Sequence, residues 1–264
     1  MSDLAAEARL VRLTRPAPHV ALVTLNRPEV RNAINSAVSE QLAEVHDHIE
    51  SDPEIWISIV SGAGGKVFSA GADLRQVAEA GDTRLVADLV QGFMRYVRSQ
   101  EHKPRIAAVD GYALAGGCEL MLACDMVVAT RSSIFGLPEA KRGLIAAAGG
   151  VQRLCRRMPR NIVMELIATG RTFSAEEAAR FGLVNRLVEE DPVAAALKLA
   201  EEICANAPVA VRAALNIARR AAEPNEDALW DYTVEWRLRV SETADYREGP
   251  RAFVEKRQPR WTGR

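Results

Sequence analysis

Glu119 and Glu139 are the residues whose type and setting point most directly to chemistry. The first stands in Leu114-Ala-Gly-Gly-Cys-Glu119-Leu-Met-Leu-Ala and the second in Ile134-Phe-Gly-Leu-Pro138-Glu139. Glutamate is seldom buried among apolar residues without a reason. Two carboxyls sharing one small pocket drive their proton affinities apart, so that one can act as a base while the other holds a proton near neutrality. Gly116-Gly117 lies where a helix begins. Backbone N–H groups at a helix start have no intrahelical partner and can hold an anion or a developing oxyanion. Glycine leaves the approach to them open. Each feature also has an ordinary reading: an acid in a first turn complements the helix dipole, and Glu139 after a proline can cap a short helix. The combination raises the interest, because a second small-residue loop, Val67-Phe-Ser-Ala-Gly-Ala72-Asp73-Leu74, accompanies the carboxylate pair. Alone, that loop also reads as a tight turn. The two glutamates are far enough apart in the chain to come from separate elements and face each other across a pocket.

Those residues need elements to position them. Residues 9–14 and 19–25 alternate as strands, with Arg15-Pro-Ala-Pro18 as the turn. Ser36 is placed as an N-cap, and Val38, Leu42, Val45 and Ile49 at helical spacing predict a helix over 37–50. Residues 55–60 read as a strand by β-branched content, followed by a glycine loop at 62–65. Leu85, Leu89 and Phe93, with Val86, Val90 and Val97, predict a helix over 83–100. A strand at 105–109, a helix at 117–124 and a strand at 126–129 come next. Ser174-Ala-Glu-Glu177 is a capping box for a short helix ending at Gly182, and 183–188 is a short strand. From about 192 the pattern is helical to the end. Strands and helices alternate first and helices dominate later, which predicts an α/β core with a helical C-terminal part.

Composition sets the bounds. The chain has 264 residues, 48% hydrophobic and 26% charged, with a net charge of −1. This is ordinary globular composition, long enough to bury a core without disulfides. The near-zero charge counts against a nucleic-acid partner. Cys118, Cys124, Cys155 and Cys204 form no C-x-x-C pair and read as reduced thiols of a cytoplasmic protein. The acidic start, Met1 to Glu7, is not a signal peptide, and the most apolar region, 107–129, carries Asp110, Glu119 and Asp125, unlike a membrane span. Gly62-Ala-Gly-Gly-Lys66 lacks the Walker spacing, since Val60 and Val67 occupy its glycine and hydroxyl positions. His46 and His48 face different directions on a helix and make a poor metal pair; His19 and His102 are isolated. The arginines at 153, 156, 157 and 160 read as a solvated helix face.

Taken together and in this order, FSAGADL, AVDGYALAGGCELMLACD, FGLPEAKRGL with AAAGGVQRL, and the closing EGPRAFVEKR resemble the enoyl-CoA hydratase/isomerase (crotonase) superfamily, over about residues 10–263. The resemblance implies an α/β fold made of a spiral of ββα turns, placed here at 1–190 with the active site, and a helical oligomerisation region at 191–264 that packs homotrimers or homohexamers. It implies an acyl-CoA thioester substrate, as in fatty-acid β-oxidation, with no metal and no separate cofactor. By matching position, the N–H groups of Ala72 and Gly116 form an oxyanion hole, and Glu119 and Glu139 are the two catalytic glutamates. Arg31 and the run Ala70, Ala72, Asp73, Leu74 and Arg75 match regions that hold CoA, together with Gly116. Phe253 and Lys256 match a C-terminal segment that reaches CoA, in some relatives from a neighbouring subunit.

The two-carboxylate pattern fits hydration of a 2-enoyl-CoA to a 3-hydroxyacyl-CoA, with Glu119 orienting water and Glu139 carrying the proton to Cα. A carnitinyl-CoA dehydratase, which the segment 138–141 and the tail resemble, and an enoyl-CoA isomerase working with Glu139 alone are the alternatives on the same scaffold. A non-enzymatic RNA-binding role, known among relatives, is disfavoured by the charge. One departure concerns Ala146-Ala147, where hydratases often carry Pro-Gly; it bears on the amide that helps hold the water.

Overall fold

The computed structural model describes residues 9–76, 83–99, 102–221 and 225–264. The acidic start at 1–7 and residues 77–82 lie outside the described residues, as do the side chains of Leu85, Val86, Leu89 and Val90.

Aliphatic and β-branched runs form one long sheet. Its strands are β1 (Val11–Ala17), β2 (Val20–Leu25), β3 (Ile57–Gly62), β5 (Arg105–Val109), β7 (Met126–Thr130) and β10 (Arg186–Val188), in that spatial order. Only the β1–β2 hairpin is antiparallel. A second, smaller sheet contains β4 (Val67–Ser69), β6 (Tyr112–Leu114), β8 (Ile134–Gly136) and β9 (Phe173–Ser174). The chain gives a strand to the large sheet, then one to the small sheet, then a helix, and repeats. Thus β3 and β4 precede α2 (Thr83–Arg98), and β5 and β6 precede α3 (Gly116–Leu122). Strands β7 and β8 precede α4 (Gly150–Arg157) and α5 (Arg160–Thr169). This is the expected spiral of ββα turns.

Helix α1 (Ser36–Ser51) packs against α2, its buried stripe being Val38, Leu42, Val45 and Ile49. After β9, α6 (Ala175–Arg180) leads to β10, and α7 (Pro192–Cys204) lies on the large sheet, burying Ala196 and Ala200 against Ile57, Ile59, Ile106 and Val128. Helices α8 (Pro208–Arg220), α9 (Glu226–Ser241) and α10 (Ala244–Val254) complete the chain. Helix α8 is anchored to the core by Arg219, whose guanidinium donates twice to the Asp125 carboxylate at 2.7 Å. Such a two-pronged pair fixes orientation as well as distance.

Several boundaries differ from expectation for local reasons. The first turn falls at Pro18-His19, with His19 left-handed at φ 63°, because Arg15 to Ala17 continue β1. Asn35, not Ser36, caps α1 by accepting from Val38 N–H at 2.9 Å. Strand β3 begins at Ile57 and takes Gly62 into its end. Helix α3 starts one residue early and stops at Leu122. Residues 183–185 are not strand: Leu183 N–H bonds back to Ala178 O, closing α6. The capping box holds, with Ser174 Oγ accepting from Glu177 N–H. The basic cluster is not a solvated face. Arg153 and Arg157 fold inward, donating to Ala148 O and Cys124 O respectively, while Arg156 and Arg160 are exposed.

Candidate active site

Three parallel strands of the small sheet, β4, β6 and β8, run side by side. Each is followed by one part of the candidate site: Ala70-Gly71-Ala72 after β4, Ala115-Gly116 after β6, and Leu137-Pro138-Glu139 after β8. Open parallel sheets place ligand sites beyond their carboxyl ends for this topological reason.

The strip after β4 is held by residues 31–34. Ala70 N–H donates to Arg31 O, Ile34 N–H to Gly71 O and Asp73 N–H to Ile34 O. Arg31 and Asn32 adopt left-handed φ values of 59° and 52° to make this strap. Asn32 is buried and ties it down, its Nδ2 donating to Ala63 O and Val67 O at 2.9 and 2.7 Å. The parallel bridge pairs Ile34 with Ala72, which turns Ala72 N–H away from the strap. On the other side lies Gly116: a Cβ placed there would sit 3.5 Å from Ala72 N. A Cβ on Gly71, whose φ is +88°, would come to 2.7 Å from Gly116 N. Among the described residues, neither the Ala72 nor the Gly116 N–H has an acceptor. Ala115, at φ 51° and ψ −127°, is a non-glycine residue in a sparsely populated conformation, held by its N–H to Gly136 O. Strain of this kind, on the order of 1–3 kcal/mol, persists where surrounding structure over-determines it. The result is a pair of neighbouring free amides.

Glu119 lies one turn inside α3 and is only 4% exposed. Its Oε1 accepts from Ala148 N–H at 2.7 Å and Gly150 N–H at 2.9 Å, which leaves Oε2 to meet a ligand. Burial pushes its pKa up to about 7, the nearby Glu139 adds to the rise, and the two amides and Arg153 oppose it. Glu139 opens the 3₁₀ turn Glu139–Arg142 and is 9% exposed. Burial raises its pKa too, against its own backbone N–H and the charge of Arg142. Its Oε2 is buried with no hydrogen-bond partner among the described residues. A buried orphan oxygen calls for a partner, and a bound water or substrate can supply one.

The structure therefore brings Ala70, Ala72, Asp73, Gly116, Glu119 and Glu139 to one end of the small sheet. Arg31, Leu74 and Arg75 are exposed on its rim. Phe253 is 85% exposed at the end of α10. Among the described residues, no hydrogen bond or ion pair joins Phe253 or Lys256 to the Ala70–Arg75 strip. Several supporting residues escaped the sequence reading. Arg27 Nη1 donates to Ala33 O at 2.7 Å and Asp73 Oδ2 at 3.2 Å, bracing strap and strip together. Ala148 and Gly150 hold Glu119; their only signal was the glycine pair at 149–150. Ala146-Ala147 immediately precede this amide pair, so the cradle forms without Pro-Gly there. Among the described residues, no three His, Cys, Asp or Glu side chains form a group that could hold a metal ion, and no helix is long and apolar enough to cross a membrane.

The raised pKa of Glu119 links to stability with a definite sign. Below its ordinary value of 4.5 the carboxyl is protonated in both states; between 4.5 and about 7 only the native state keeps the proton. Stability therefore falls as pH rises through this window, and above it the ionised buried group costs on the order of 3 kcal/mol. Glu119→Gln keeps the acceptor for the two amides but removes the charge. Its stability relative to wild type rises between pH 5 and pH 8 in urea melts. A difference flat across that range would show that burial does not set this group's titration.

Residues 16–264 match the family described as Enoyl-CoA hydratase/isomerase. The chain is 38% identical over 253 residues to the mevalonyl-coenzyme A hydratase sidH of Aspergillus fumigatus, covering 93% of this chain and 92% of that protein. It is 40% identical over 260 residues to the carnitinyl-CoA dehydratase of Salmonella paratyphi A, covering 96% and 98%. The crystal structure of an enoyl-CoA hydratase from Mycobacterium tuberculosis superposes with a TM-score of 0.88 at 42% identity, covering 97% of this chain and 99% of that one. The chain thus belongs to the enoyl-CoA hydratase/isomerase family, carries the crotonase fold and is an enzyme of that family.

Proposed function

We propose that the protein is a hydro-lyase that adds water reversibly across the 2,3-double bond of a 2-enoyl-CoA thioester, giving the 3-hydroxyacyl-CoA. The observation that carries this reading is the pair of buried glutamates beside two free amides. The Ala72 and Gly116 N–H groups receive the thioester carbonyl oxygen. As the water oxygen bonds to C3, the double-bond electrons shift through C2 and C1 onto the thioester carbonyl oxygen, and the two donors stabilise the enolate charge there by roughly 3 kcal/mol each. Glu119, its Oε1 fixed by two amides, uses Oε2 to orient the water and accept its proton. Protonated Glu139 delivers a proton to C2 as the enolate collapses. The pair then holds one proton between them, so their titration is a shared property.

The relatives' names support the coarse chemistry, since hydratase and dehydratase describe one reaction in opposite directions. Carnitinyl-CoA dehydration is the second reading, favoured by that relative's 40% identity. Arg31 and the run Ala70 to Arg75 are proposed to hold CoA. Residues 191–264 are proposed to assemble a homotrimer or a pair of trimers, in which Phe253 and Lys256 of one subunit reach CoA on its neighbour. A cytoplasmic place in acyl-CoA breakdown fits these properties. Loss of the conjugated thioester absorbance, measured with crotonyl-CoA beside the dehydrated partner of carnitinyl-CoA, tests the reading. A higher kcat/KM on crotonyl-CoA supports simple hydration, and the reverse order moves the assignment to the carnitinyl reaction. A product with a shifted double bond and no hydroxyl group would replace both by isomerisation.

A further inference from the structure

The cradle that holds Glu119 is itself held from behind. Arg153 stands one turn into α4, and its Nη1 donates to Ala148 O at 3.1 Å. Its Nη2 donates to Val97 O, near the end of α2. Gly149, at φ +101°, lies directly under the guanidinium, so that a Cβ there would overlap Nη1 and come to 2.9 Å from Cζ. Ala148 is thus gripped on both sides: its N–H binds the Glu119 carboxylate and its C=O binds the arginine. The planar fork of arginine suits this, because one rigid group reaches two carbonyls on different elements.

We infer that Arg153 is a positioning residue for Glu119, bracing the two-amide cradle that aims the carboxylate. The catalytic arm of this inference rests on the hydration reading; the structural arm does not. A displacement of about 1 Å in a reacting group is enough to lower a rate by about 10²-fold, so a brace that reaches the carboxylate through one peptide unit matters. The guanidinium also opposes the effect of burial on Glu119. The charged and titratable groups around the carboxyl are Glu139 from the 3₁₀ turn and Arg153 from α4, with Cys118 adjacent in the chain. Arg153 in turn faces Arg156 and Arg157 on its own helix and Cys124 beyond the end of α3.

The test compares Arg153→Met, Arg153→Lys and Arg156→Met with wild type. The last removes an exposed arginine of the same helix. Two readouts are taken: the ¹³C carboxyl titration of Glu119, assigned with Glu119→Gln, and the pH profile of kcat and KM on crotonyl-CoA. Arg153→Met is expected to move the Glu119 midpoint upward and to lower kcat by about 10²-fold with KM little changed. Arg153→Lys restores the charge, so its midpoint returns toward wild type, but one ammonium cannot reproduce the fork and kcat recovers only in part. Arg156→Met behaves as wild type. Wild-type midpoint and kcat in Arg153→Met would overturn the inference. So would loss of kcat in both Arg153 variants with the midpoint unmoved in Arg153→Met, which is what a plain packing defect gives. Should Arg153→Met fail to fold, Arg153→Lys decides: reduced kcat at unchanged KM supports the brace, and wild-type kcat refutes it. A wild type inert toward enoyl-CoA retires the hydration reading, and the carboxyl titration then decides the role of Arg153 alone.

Discussion

Glu119→Gln and Glu139→Gln are each expected to lower the rate of enoyl-CoA hydration by about 10³-fold while leaving thioester binding in place. In Glu119→Gln the new side-chain carbonyl still accepts from Ala148 and Gly150, so the cradle survives and only the base is lost. In Glu139→Gln the amide occupies the same volume as the carboxyl but has no acid proton to deliver to C2. Because the proposed reaction uses the two carboxyls as one proton-handling unit, the double variant should be little slower than either single one. Stopped-flow absorbance at saturating crotonyl-CoA measures this directly. Rates in either single variant within a few fold of wild type would remove that carboxyl from the chemistry.

Gly117→Ala carries the next largest expected effect, a fall in kcat of about 10²-fold. A Cβ at Gly117 would overlap Ser69 O and lie 2.7 Å from Ser69 Cβ and 2.8 Å from Ser69 C. That neighbour cannot give way: Ser69 is fully buried, and its Oγ donates to Asn32 O at 2.9 Å. Helix α3 must therefore move off the Ala70–Ala72 strip, and the two amides no longer converge on one oxygen. Gly182→Ala is the matched control. Its φ is +82°, but nothing lies within 4 Å of the added Cβ, so it costs only about 1–2 kcal/mol of stability for the left-handed backbone and leaves kcat unchanged. Steady-state kinetics with melting temperatures separates the two. A Gly117→Ala enzyme with wild-type kcat would show that the close approach of α3 to the strip is not what aligns the donors.

Much of this site was legible because its parts obey local rules. Glu119 announces itself as an acid in an apolar helix start after a glycine pair, and the β5-to-α3 passage follows from aliphatic content and glycine placement. The small sheet did not announce itself. Strands of two or three residues, such as Val67–Ser69 and Tyr112–Leu114, are too short for period-two alternation to register. They are strands only because neighbours far along the chain pair with them. The strained Ala115 was equally silent, since alanine carries no signal for a positive φ and tertiary contacts alone impose it. Arg153 shows the opposite failure. Four arginines close together read as a wet helix face, yet two of them point inward to backbone carbonyls, a choice set by which carbonyls α2, α3 and the 148–150 loop leave unpaired. The resemblance to a family supplied what periodicity could not, the pairing of Ala72 with Gly116.

In the proposed reaction, water is added across the enoyl thioester by the two glutamates that follow β6 and β8. The most direct measurement is mass spectrometry of the product formed from crotonyl-CoA in water doubly labelled with ¹⁸O and deuterium. One ¹⁸O at C3 and one deuterium at C2 in the wild-type product, both nearly absent in Glu119→Gln, is the predicted result. Deuterium at carbon without any ¹⁸O, or full ¹⁸O incorporation by Glu119→Gln at the wild-type rate, would contradict it.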